Sequence, residues 1–274
     1  MTEMNSLLAV DGLTVTYGRG RRRPPLVAND NISLRLGRGE TLGIVGESGS
    51  GKSTLGDAVL GFAPVAAGSI RFKGEELVGA SPARRRQLTK HIQVIFQNPY
   101  GSLNPSKPIG ATLGEPLAAH SLARGKAAAD RVAHWLEVVG LPPDAVDRYP
   151  REFSGGQRQR IAIARALLVE PDIIVCDEAV SALDLSIQAQ ILNLLLDLQA
   201  SLGLSYLFIT HDMAVVEHMA NRIAVMHRGS IVEQGTSHDI VHAPTAEYTK
   251  ALLAAAPSPD PRVQRERRRV RTYS

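Results

Sequence analysis

The stretch from Val45 to Leu60 constrains the fold more than any other part of this chain. An apolar run, Thr41 to Val45, leads into Gly46-Glu47-Ser48-Gly49-Ser50-Gly51-Lys52-Ser53-Thr54, and a helical pattern follows from Ser53 to Leu60. This order predicts a strand, a phosphate-binding loop and a helix, and it matches G-x-x-x-x-G-K-[ST] at every fixed position. A glycine-rich turn with a surface lysine is the alternative, but the flanking strand and helix favour the phosphate loop.

The residue types in this loop suit a nucleoside polyphosphate with a metal ion. Gly46, Gly49 and Gly51 permit positive φ, so that backbone N–H groups can form a concave nest at the positive end of a helix. Lys52 can reach the β- and γ-phosphates, and the Ser53 hydroxyl is a hard oxygen ligand for Mg²⁺. The whole loop, with Glu47, Ser48, Ser50 and Thr54, is therefore predicted to bind the cofactor.

Length and composition favour one large domain, or a domain with an inserted subdomain. The chain has 274 residues, of which 44% are hydrophobic, so it can bury a sizeable core. It has no apolar run of about 18 residues, and no basic region precedes the short apolar run near its start, so we expect a cytoplasmic location. The single cysteine, Cys176, lies in an apolar run and is predicted to be a buried small hydrophobe.

The positive charge is concentrated at the end of the chain. The formal net charge is +4, but residues 262–274 contain six arginines and one glutamate, so the remainder is close to neutral. A nucleic-acid enzyme more often has a basic stripe across its folded body, so no nucleic-acid partner is expected. Residues 258–274 are predicted to be a disordered basic tail, although anionic lipid headgroups are a possible partner for it. The runs Arg19 to Arg23 and Arg84 to Arg86 are interpreted as solvated loops.

The first half of the chain predicts an antiparallel β beginning and then a helical insertion. Strands are expected at Leu7 to Tyr17, Ile32 to Leu36, Ser69 to Phe72 and Ile92 to Gln97. From about residue 98 to 165 the chain becomes rich in proline and then in alanine, which predicts an inserted helical subdomain. There Val132, Leu136 and Val139 recur with helical spacing, and Trp135 is expected in the core beside them.

The second half predicts buried strands that alternate with helices. Ser154-Gly155-Gly156-Gln157 opens a helix, and glycines at that position make sense where the backbone approaches a phosphate. The run Ile173 to Cys176 predicts a parallel strand that delivers Asp177 and Glu178 at its carboxyl end, where open α/β sheets place ligands. Further elements are a turn at Ser181 to Asp184, helices at Ile187 to Leu202 and Met213 to Ala220, strands at Leu204 to Thr210, Ile223 to Met226 and Ser230 to Gln234, and a helix near Tyr248 to Ala255.

The order of these elements from about Leu7 to Ala255 resembles the ATP-binding subunits of ABC transporters. The family's motifs are found in order: the Walker A loop at Gly46 to Thr54, the Q-loop at Gln97, the signature at Ser154 to Gln157, the Walker B strand ending at Asp177 with Glu178 after it, the D-loop at Ser181 to Asp184, and the switch histidine at His211. Within the family, Gln97-Asn98-Pro99-Tyr100-Gly101-Ser102-Leu103-Asn104-Pro105 and Tyr149-Pro150-Arg151-Glu152-Phe153-Ser154 are similar to the oligopeptide and dipeptide importer branch.

The resemblance implies an α/β fold: a P-loop NTPase core with a mainly parallel sheet, an N-terminal antiparallel β subdomain and an inserted helical subdomain, within a domain at 1–257. It also implies ATP and Mg²⁺ as cofactors. Ser53 then ligates the metal and Asp177 holds its water shell, while Gln97 either contributes an amide oxygen to the metal or orients the attacking water. Glu178 becomes the candidate general base, and His211 contacts the γ-phosphate or that water.

Tyr17, Asp184 and the signature complete the implied site. Tyr17 matches the family's aromatic residue that stacks on adenine, although a core-packing role at the end of a strand explains it nearly as well. In the family, Ser154, Gly155, Gly156 and Gln157 bind the γ-phosphate held by a different subunit. Since this chain has one set of motifs, we expect it to pair with itself or with a sister chain. Ala179 departs from the proline common after the catalytic glutamate, which should loosen the turn that follows.

Three functions are compatible with these motifs. The leading hypothesis is an ATP-hydrolysing subunit at the cytoplasmic face of the plasma membrane, which drives integral membrane permease subunits and, indirectly, an extracytoplasmic solute-binding protein. Peptides, nickel complexes and glutathione-like solutes all remain open as cargo. A soluble ABC ATPase that remodels a complex, such as a phosphonate-degradation assembly, is the alternative. A nucleic-acid repair or translation ATPase is a third, disfavoured by the single cassette and the nearly neutral body.

Overall fold

A computed structural model describes residues 6–18, 24–98, 101 and 103–255 of the chain. The predictions made for Arg19 to Arg23, for Pro99, Tyr100 and Ser102 of the branch motif, and for the tail at 258–274 lie outside the described residues. Within the described part, no helix combines the length and the hydrophobicity needed to cross a bilayer.

The amino-terminal part forms a four-stranded antiparallel sheet in the order β2-β1-β4-β5. Its strands are β1 (Ser6–Tyr17), β2 (Leu26–Gly37), β4 (Val65–Phe72) and β5 (Glu75–Glu76). In β1 the residues Leu8, Val10, Leu13 and Val15 are fully buried, so the apolar alternation faces the core as predicted. The antiparallel pairing of β1 with β2 is confirmed, but β2 begins six residues before the predicted Ile32.

The second sheet has six strands and contains the predicted parallel core. Its order is β10-β9-β3-β8-β7-β6, and every pair is parallel except β9 with β10. The strands are β3 (Thr41–Val45), β6 (Ile92–Phe96), β7 (Ile173–Asp177), β8 (Ser205–Thr210), β9 (Arg222–His227) and β10 (Ser230–Thr236). Strands β3, β7 and β8 are almost completely buried, as expected when helices or a second sheet cover both faces.

The helices are α1 (Lys52–Leu60), α2 (Pro82–Leu88), α3 (Ile109–Ala119), α4 (Gly125–Val138), α5 (Gly155–Leu167), α6 (Leu185–Leu202), α7 (Met213–Met219), α8 (Ser237–His242) and α9 (Glu247–Ala255). The helices α1, α5, α6, α7 and α9 follow the predicted positions closely, whereas α2 and α8 were not predicted. Two short 3₁₀ helices, Pro143–Asp147 and Pro150–Glu152, precede α5. Between β6 and β7 most of the described residues are therefore helical, and Trp135 packs in the core with Val132 and Leu136 as predicted. The exact domain limits stay a prediction.

One interpretation of the sequence is wrong. The basic run Arg84 to Arg86 lies in the helix α2 and not in a loop. Ser81 caps this helix, since its Oγ accepts a hydrogen bond from the Arg84 N–H at 3.3 Å, and Pro82 occupies the first helical position. The Arg85 guanidinium donates to the Leu77 carbonyl at 2.6 Å, so part of this run ties α2 to the antiparallel sheet.

Apolar packing joins the two sheets on one face of α1. Leu8 and Ile32 of the antiparallel sheet share a core with Leu55 of α1 and with Leu42 and Leu207 of the parallel sheet. A second core joins α3, α4, α5 and α6 to the opposite side of the parallel sheet. Since β3, β8 and β7 are neighbours, their carboxyl ends bring Val45, Thr210 and Asp177 to one edge, where the site lies.

Candidate nucleotide-binding site

The loop after β3 wraps around the amino end of α1. Gly51 precedes α1, and no side chain caps the helix, so its first N–H groups are available to an anion. Gly46, Gly49 and Gly51 all have positive φ, as predicted. At Gly46 a side chain is also excluded by space, because a Cβ atom would lie 2.2 Å from the Met226 carbonyl oxygen. The loop is therefore a closely packed cradle.

Lys52 is nearly buried inside this cradle. Its Nζ donates hydrogen bonds to the carbonyl oxygens of Gly46 and Glu47, each at 2.8 Å. Burial lowers the pKa of Lys52, and the nearby carboxylates of Glu178, Asp177 and Glu47 act in the opposite direction. A triphosphate at this position would supply the negative charge that the desolvated ammonium lacks.

Ser53, in the first turn of α1, contacts Asp177 at the end of β7. The Ser53 hydroxyl donates to Asp177 Oδ1 at 2.9 Å, so the predicted metal ligand and the predicted Walker B carboxylate are adjacent. Burial raises the pKa of Asp177, and the negative charges of Glu178 and Asp57 add to that effect, while the Ser53 hydroxyl and Lys52 oppose it. The Ser53 hydroxyl and the Asp177 carboxylate are hard oxygen donors, which suit Mg²⁺. Because burial disfavours the uncompensated negative charge of Asp177, a Mg²⁺ ion held by these two side chains would stabilise that charge.

Glu178 and His211 face each other beside this pair. His211 Nδ1 lies 3.4 Å from Glu178 Oε1, and about half of the His211 side chain is exposed. Asp212 caps α7 by accepting hydrogen bonds from the N–H groups of Ala214 and Val215, which fixes the chain immediately after His211. The structure therefore brings together the two residues predicted to act on the γ-phosphate and the attacking water.

A cleft of about 510 Å³ joins the loop to the antiparallel sheet. Tyr17, Lys52 and Glu178 all line it, so the predicted aromatic residue shares one cleft with the phosphate loop. Tyr17 is half-buried and also packs against the core that joins the two sheets, so both interpretations of this residue describe part of its environment. Sequence reasoning missed the other residues that line the cleft: Leu26, Val27, Ala28, Arg228 and Gly229.

Asp177 and His211 adjoin this cleft through their contacts with Ser53 and Glu178, whereas other predicted site residues do not line it among the described residues: Gln97, the signature Ser154–Gln157, and Asp184. Gln97 is exposed, one residue beyond the β6 position that pairs with Asp177. Ser154 and Gln157 form a capping box at the start of α5, in which the Ser154 Oγ accepts from the Gln157 N–H at 3.3 Å. Asp184 is exposed at the start of α6.

Packing within this chain gives an explanation for the glycine at position 156 that the sequence did not show. A Cβ atom at Gly156 would lie 2.4 Å from Ile187 Cγ2 on α6. The amino end of α5 therefore packs against α6 at a distance that leaves no room for a Cβ atom unless Ile187 moves, whether or not a phosphate also approaches it.

Two further predictions concern Cys176 and the turn that follows Glu178. Cys176 is fully buried and burial raises the pKa of its thiol, which confirms the prediction of an inert core residue. Ala179 is also buried, and the turn that follows it is held by Ser181, whose N–H and Oγ both donate to the Glu178 carbonyl, at 3.1 and 3.0 Å. Sequence reasoning expected this turn to be loose and did not assign a role to Ser181.

Fold and site together define a P-loop ATP-binding domain with the carboxylate pair and histidine of an ATPase. Residues 29–181 match the model of the ABC transporter family, so the chain belongs to that family. It is an ABC-type ATPase domain, with ATP and Mg²⁺ as its cofactors. It is 53% identical over 241 residues to the glutathione import ATP-binding protein GsiA of Salmonella paratyphi A, and 54% identical over 241 residues to that of Escherichia coli K12.

The matched segment covers 88% of this chain but 39% of each of those relatives, so the chain spans about two fifths of their length. Among solved structures, CbiO1 of Clostridium perfringens, a part of the ABC transporter complex CbiONQ, is 27% identical with a TM-score of 0.76 over 86% of this chain and 90% of that one. The ATP-binding cassette MJ0796, solved as a dimer bound to ADP and Pi, is 27% identical with a TM-score of 0.75 over 84% of this chain and 98% of that one.

Proposed function

We propose that this chain is the ATP-hydrolysing subunit of an importer for short peptides or peptide-like solutes. The observation that carries the proposal is the 53% identity to a glutathione import ATP-binding protein across 88% of the chain, and the contacts of Ser53 with Asp177 and of Glu178 with His211 support it. Glutathione is itself a short peptide, which agrees with the branch motifs found in the sequence. The relatives do not favour the alternative of a soluble complex-remodelling ATPase.

The roles of the loop residues follow from charge and position. Lys52, whose ammonium lies inside the loop on the carbonyls of Gly46 and Glu47, would bind the β- and γ-phosphates, while N–H groups of the loop surround them. Thr54, Ser48 and Ser50 lie in or beside the same cradle, and the buried Ser50 Oγ has no hydrogen-bond partner among the described residues. The aromatic ring of Tyr17, which lines the same cleft, would support the adenine.

The reacting end of the site would be organised by the carboxylates. Mg²⁺, when bound, neutralises charge that develops on the phosphates. Ser53 and Asp177 are the residues that would hold it, with Gln97 as a further oxygen ligand or as a residue that orients water. Glu178 would accept a proton from the attacking water. His211, whose Nδ1 lies 3.4 Å from Glu178 Oε1, would orient the Glu178 carboxylate relative to the γ-phosphate.

The signature and the D-loop would act on a second ATP-binding domain. Ser154 to Gln157 do not line the cleft of their own chain, and the capping box uses the N–H groups of Ser154 and Gln157, so the N–H groups of Gly155 and Gly156 are the ones available to a phosphate bound by a partner. Asp184 would lie at the same junction. Pairing with a second copy or a sister chain, docking on integral membrane permeases and a peripheral location at the cytoplasmic face of the plasma membrane are parts of this proposal.

A transport assay on the intact assembly tests the proposal. The tagged full chain, isolated from detergent-solubilised membranes of its host, should carry integral membrane proteins. Proteoliposomes made from that complex should move labelled glutathione or short peptides only when ATP is present on the side of the ATP-binding domains. A complex with Glu178→Gln should assemble and fail to transport. Recovery of the chain without membrane proteins, or equal transport by both complexes, would contradict the proposed function.

A further inference from the structure

The carboxy-terminal helix α9 touches the phosphate loop at Tyr248. The Tyr248 hydroxyl oxygen accepts a hydrogen bond from the backbone N–H of Glu47 at 3.2 Å, across 201 positions of sequence. The Tyr248 ring lies against His227 at the end of β9, with ring centroids 4.0 Å apart. Tyr248 thus bridges the loop that holds the phosphates and the strand beside it.

This contact falls on the same peptide unit that holds Lys52. The Gly46 carbonyl accepts from Lys52 Nζ at 2.8 Å, and the Glu47 N–H belongs to the same planar group. In a trans peptide the carbonyl and the N–H point in opposite directions, and the described residues contain no cis peptide bond. Lys52 therefore holds the unit from inside the cradle and Tyr248 holds it from outside, so rotation of the unit would break both hydrogen bonds.

The start of α9 is itself fixed to the sheet. The Glu233 carboxylate on β10 accepts hydrogen bonds from the Thr245 N–H at 2.6 Å, the Thr245 Oγ1 at 2.7 Å and the Ala246 N–H at 3.1 Å. Partial burial acts to raise the pKa of Glu233, but the hydrogen bonds donated to it bring the pKa down to about 2. The carboxylate therefore stays ionised and anchors the helix two residues before Tyr248.

We propose that Tyr248 is a positioning residue for the ATP site, which holds the Gly46–Glu47 peptide in the orientation that the bound triphosphate requires. The inference rests on ATP binding at this loop and is independent of what the assembly transports. Loss of the hydroxyl leaves the peptide held by Lys52 alone, so its orientation is less restricted and must be fixed when nucleotide binds, and that ordering lowers the affinity for nucleotide.

Tyr248→Phe tests this with the ring contact to His227 retained. One neutral hydrogen bond corresponds to a rise of about two- to tenfold in the Kd for MgATP, measured by titration calorimetry on the full chain. The KM for ATP should rise by a similar factor, whereas kcat at saturating ATP changes little. Amide exchange at Glu47 should accelerate. Tyr248→Leu, which also removes the ring, should raise the Kd further.

Tyr206→Phe is the matched control. The buried Tyr206 hydroxyl donates to the Leu195 carbonyl at 2.9 Å, so this variant loses a hydroxyl hydrogen bond to the backbone far from the loop. It should lower the melting temperature and leave the Kd for MgATP unchanged. An unchanged Kd in Tyr248→Phe, or an equal loss of affinity in both variants, overturns the assignment of Tyr248. Failure of the wild-type chain to bind MgATP overturns the nucleotide site as well.

Discussion

Glu178 combines its proposed chemical role with an uncommon backbone conformation. Its φ of 49° lies in the left-handed region, which costs a residue with a Cβ about 1 kcal/mol or more. Hydrogen bonds offset that cost, because its N–H donates to the Ile209 carbonyl at 2.9 Å and its own carbonyl accepts twice from Ser181. The result is a side chain that leaves the buried strand β7 and lines the cleft beside His211.

Glu178→Gln should lower ATP turnover by about 10² to 10³, because the amide cannot accept the proton of the attacking water. ATP binding should persist, since the loop and Lys52 are unchanged. The measurement is phosphate release by the full chain with and without Mg²⁺, together with binding of a fluorescent ATP analogue.

Glu217→Gln is the control for that experiment. Glu217 forms a similar carboxylate–histidine pair, with His242 Nε2 at 3.6 Å, on the surface of α7. Turnover in this variant should match the wild type. Wild-type turnover in Glu178→Gln would remove Glu178 from its role as base.

At the scale of secondary-structure elements, Asp172 connects the two sheets. Its Oδ2 accepts from Lys73 Nζ at 2.7 Å and lies 2.8 Å from His91 Nδ1, and Arg38 lies 3.7 Å from Oδ1. Lys73 follows β4 of the antiparallel sheet, whereas His91 and Asp172 precede β6 and β7 of the parallel one. Burial acts to raise the pKa of Asp172, but the hydrogen bonds from Lys73 and His91 lower it below its ordinary value of 3.8.

Asp172→Asn should therefore destabilise the chain by about 1 to 2 kcal/mol at neutral pH. A carboxylate whose pKa is lowered by folding contributes stability above its unfolded value, and this contribution is lost as the pH falls through the folded pKa. The difference in unfolding free energy between variant and wild type should therefore be largest above about pH 4 and should shrink below that pH. Urea unfolding across that range measures it. Asp144→Asn, at an exposed carboxylate, should change stability by less than about 0.5 kcal/mol.

A double variant distinguishes two explanations for the glycine at position 156: packing against Ile187 and approach of a phosphate to the backbone. Gly156→Ala places a methyl group in the space of Ile187, and overpacking of this kind costs about 1 to 3 kcal/mol. Ile187→Ala in the same chain should restore stability, since it removes the colliding methyl group. ATP turnover should recover with stability if packing is the whole explanation. Turnover that stays low in the stable double variant indicates that the backbone at Gly156 also meets a phosphate.

Sequence reasoning recovered the elements whose signals are local. The loop at Gly46 to Thr54 and the strand that ends at Asp177 follow from residue types in one stretch, and the structure confirms both. The start of β2 was missed because Leu26 to Asn31 lack an apolar alternation and pair along β1 through irregular register. The helix α2 was missed although Ser81-Pro82 is a helix-start signal. Tyr248 could not be found, because its contact with Glu47 depends on tertiary packing.

At the scale of the whole molecule, the junction between α5 and α6 has surface features that agree with the proposed pairing with a second domain. Leu185, directly after Asp184, is 84% exposed, which is unusual for a leucine beside a functional loop. The signature at Ser154 to Gln157 lies at the start of α5, and a Cβ at Gly155 would contact Leu183 on the same turn. An apolar residue and free helical N–H groups at one place suit a surface that closes over bound ATP.

The full chain with Glu178→Gln should therefore double in mass from the 29.5-kDa monomer when MgATP is added, as measured by sedimentation velocity. The same variant with Leu185→Glu should bind ATP and remain monomeric, because closure would bury the new charge without a partner. Leu202→Glu is the matched control, since Leu202 is 47% exposed at the other end of α6, and it should not prevent pairing. A monomer under all these conditions, also after addition of sister chains from the same host, would contradict the shared site, because the signature would then have no phosphate to bind.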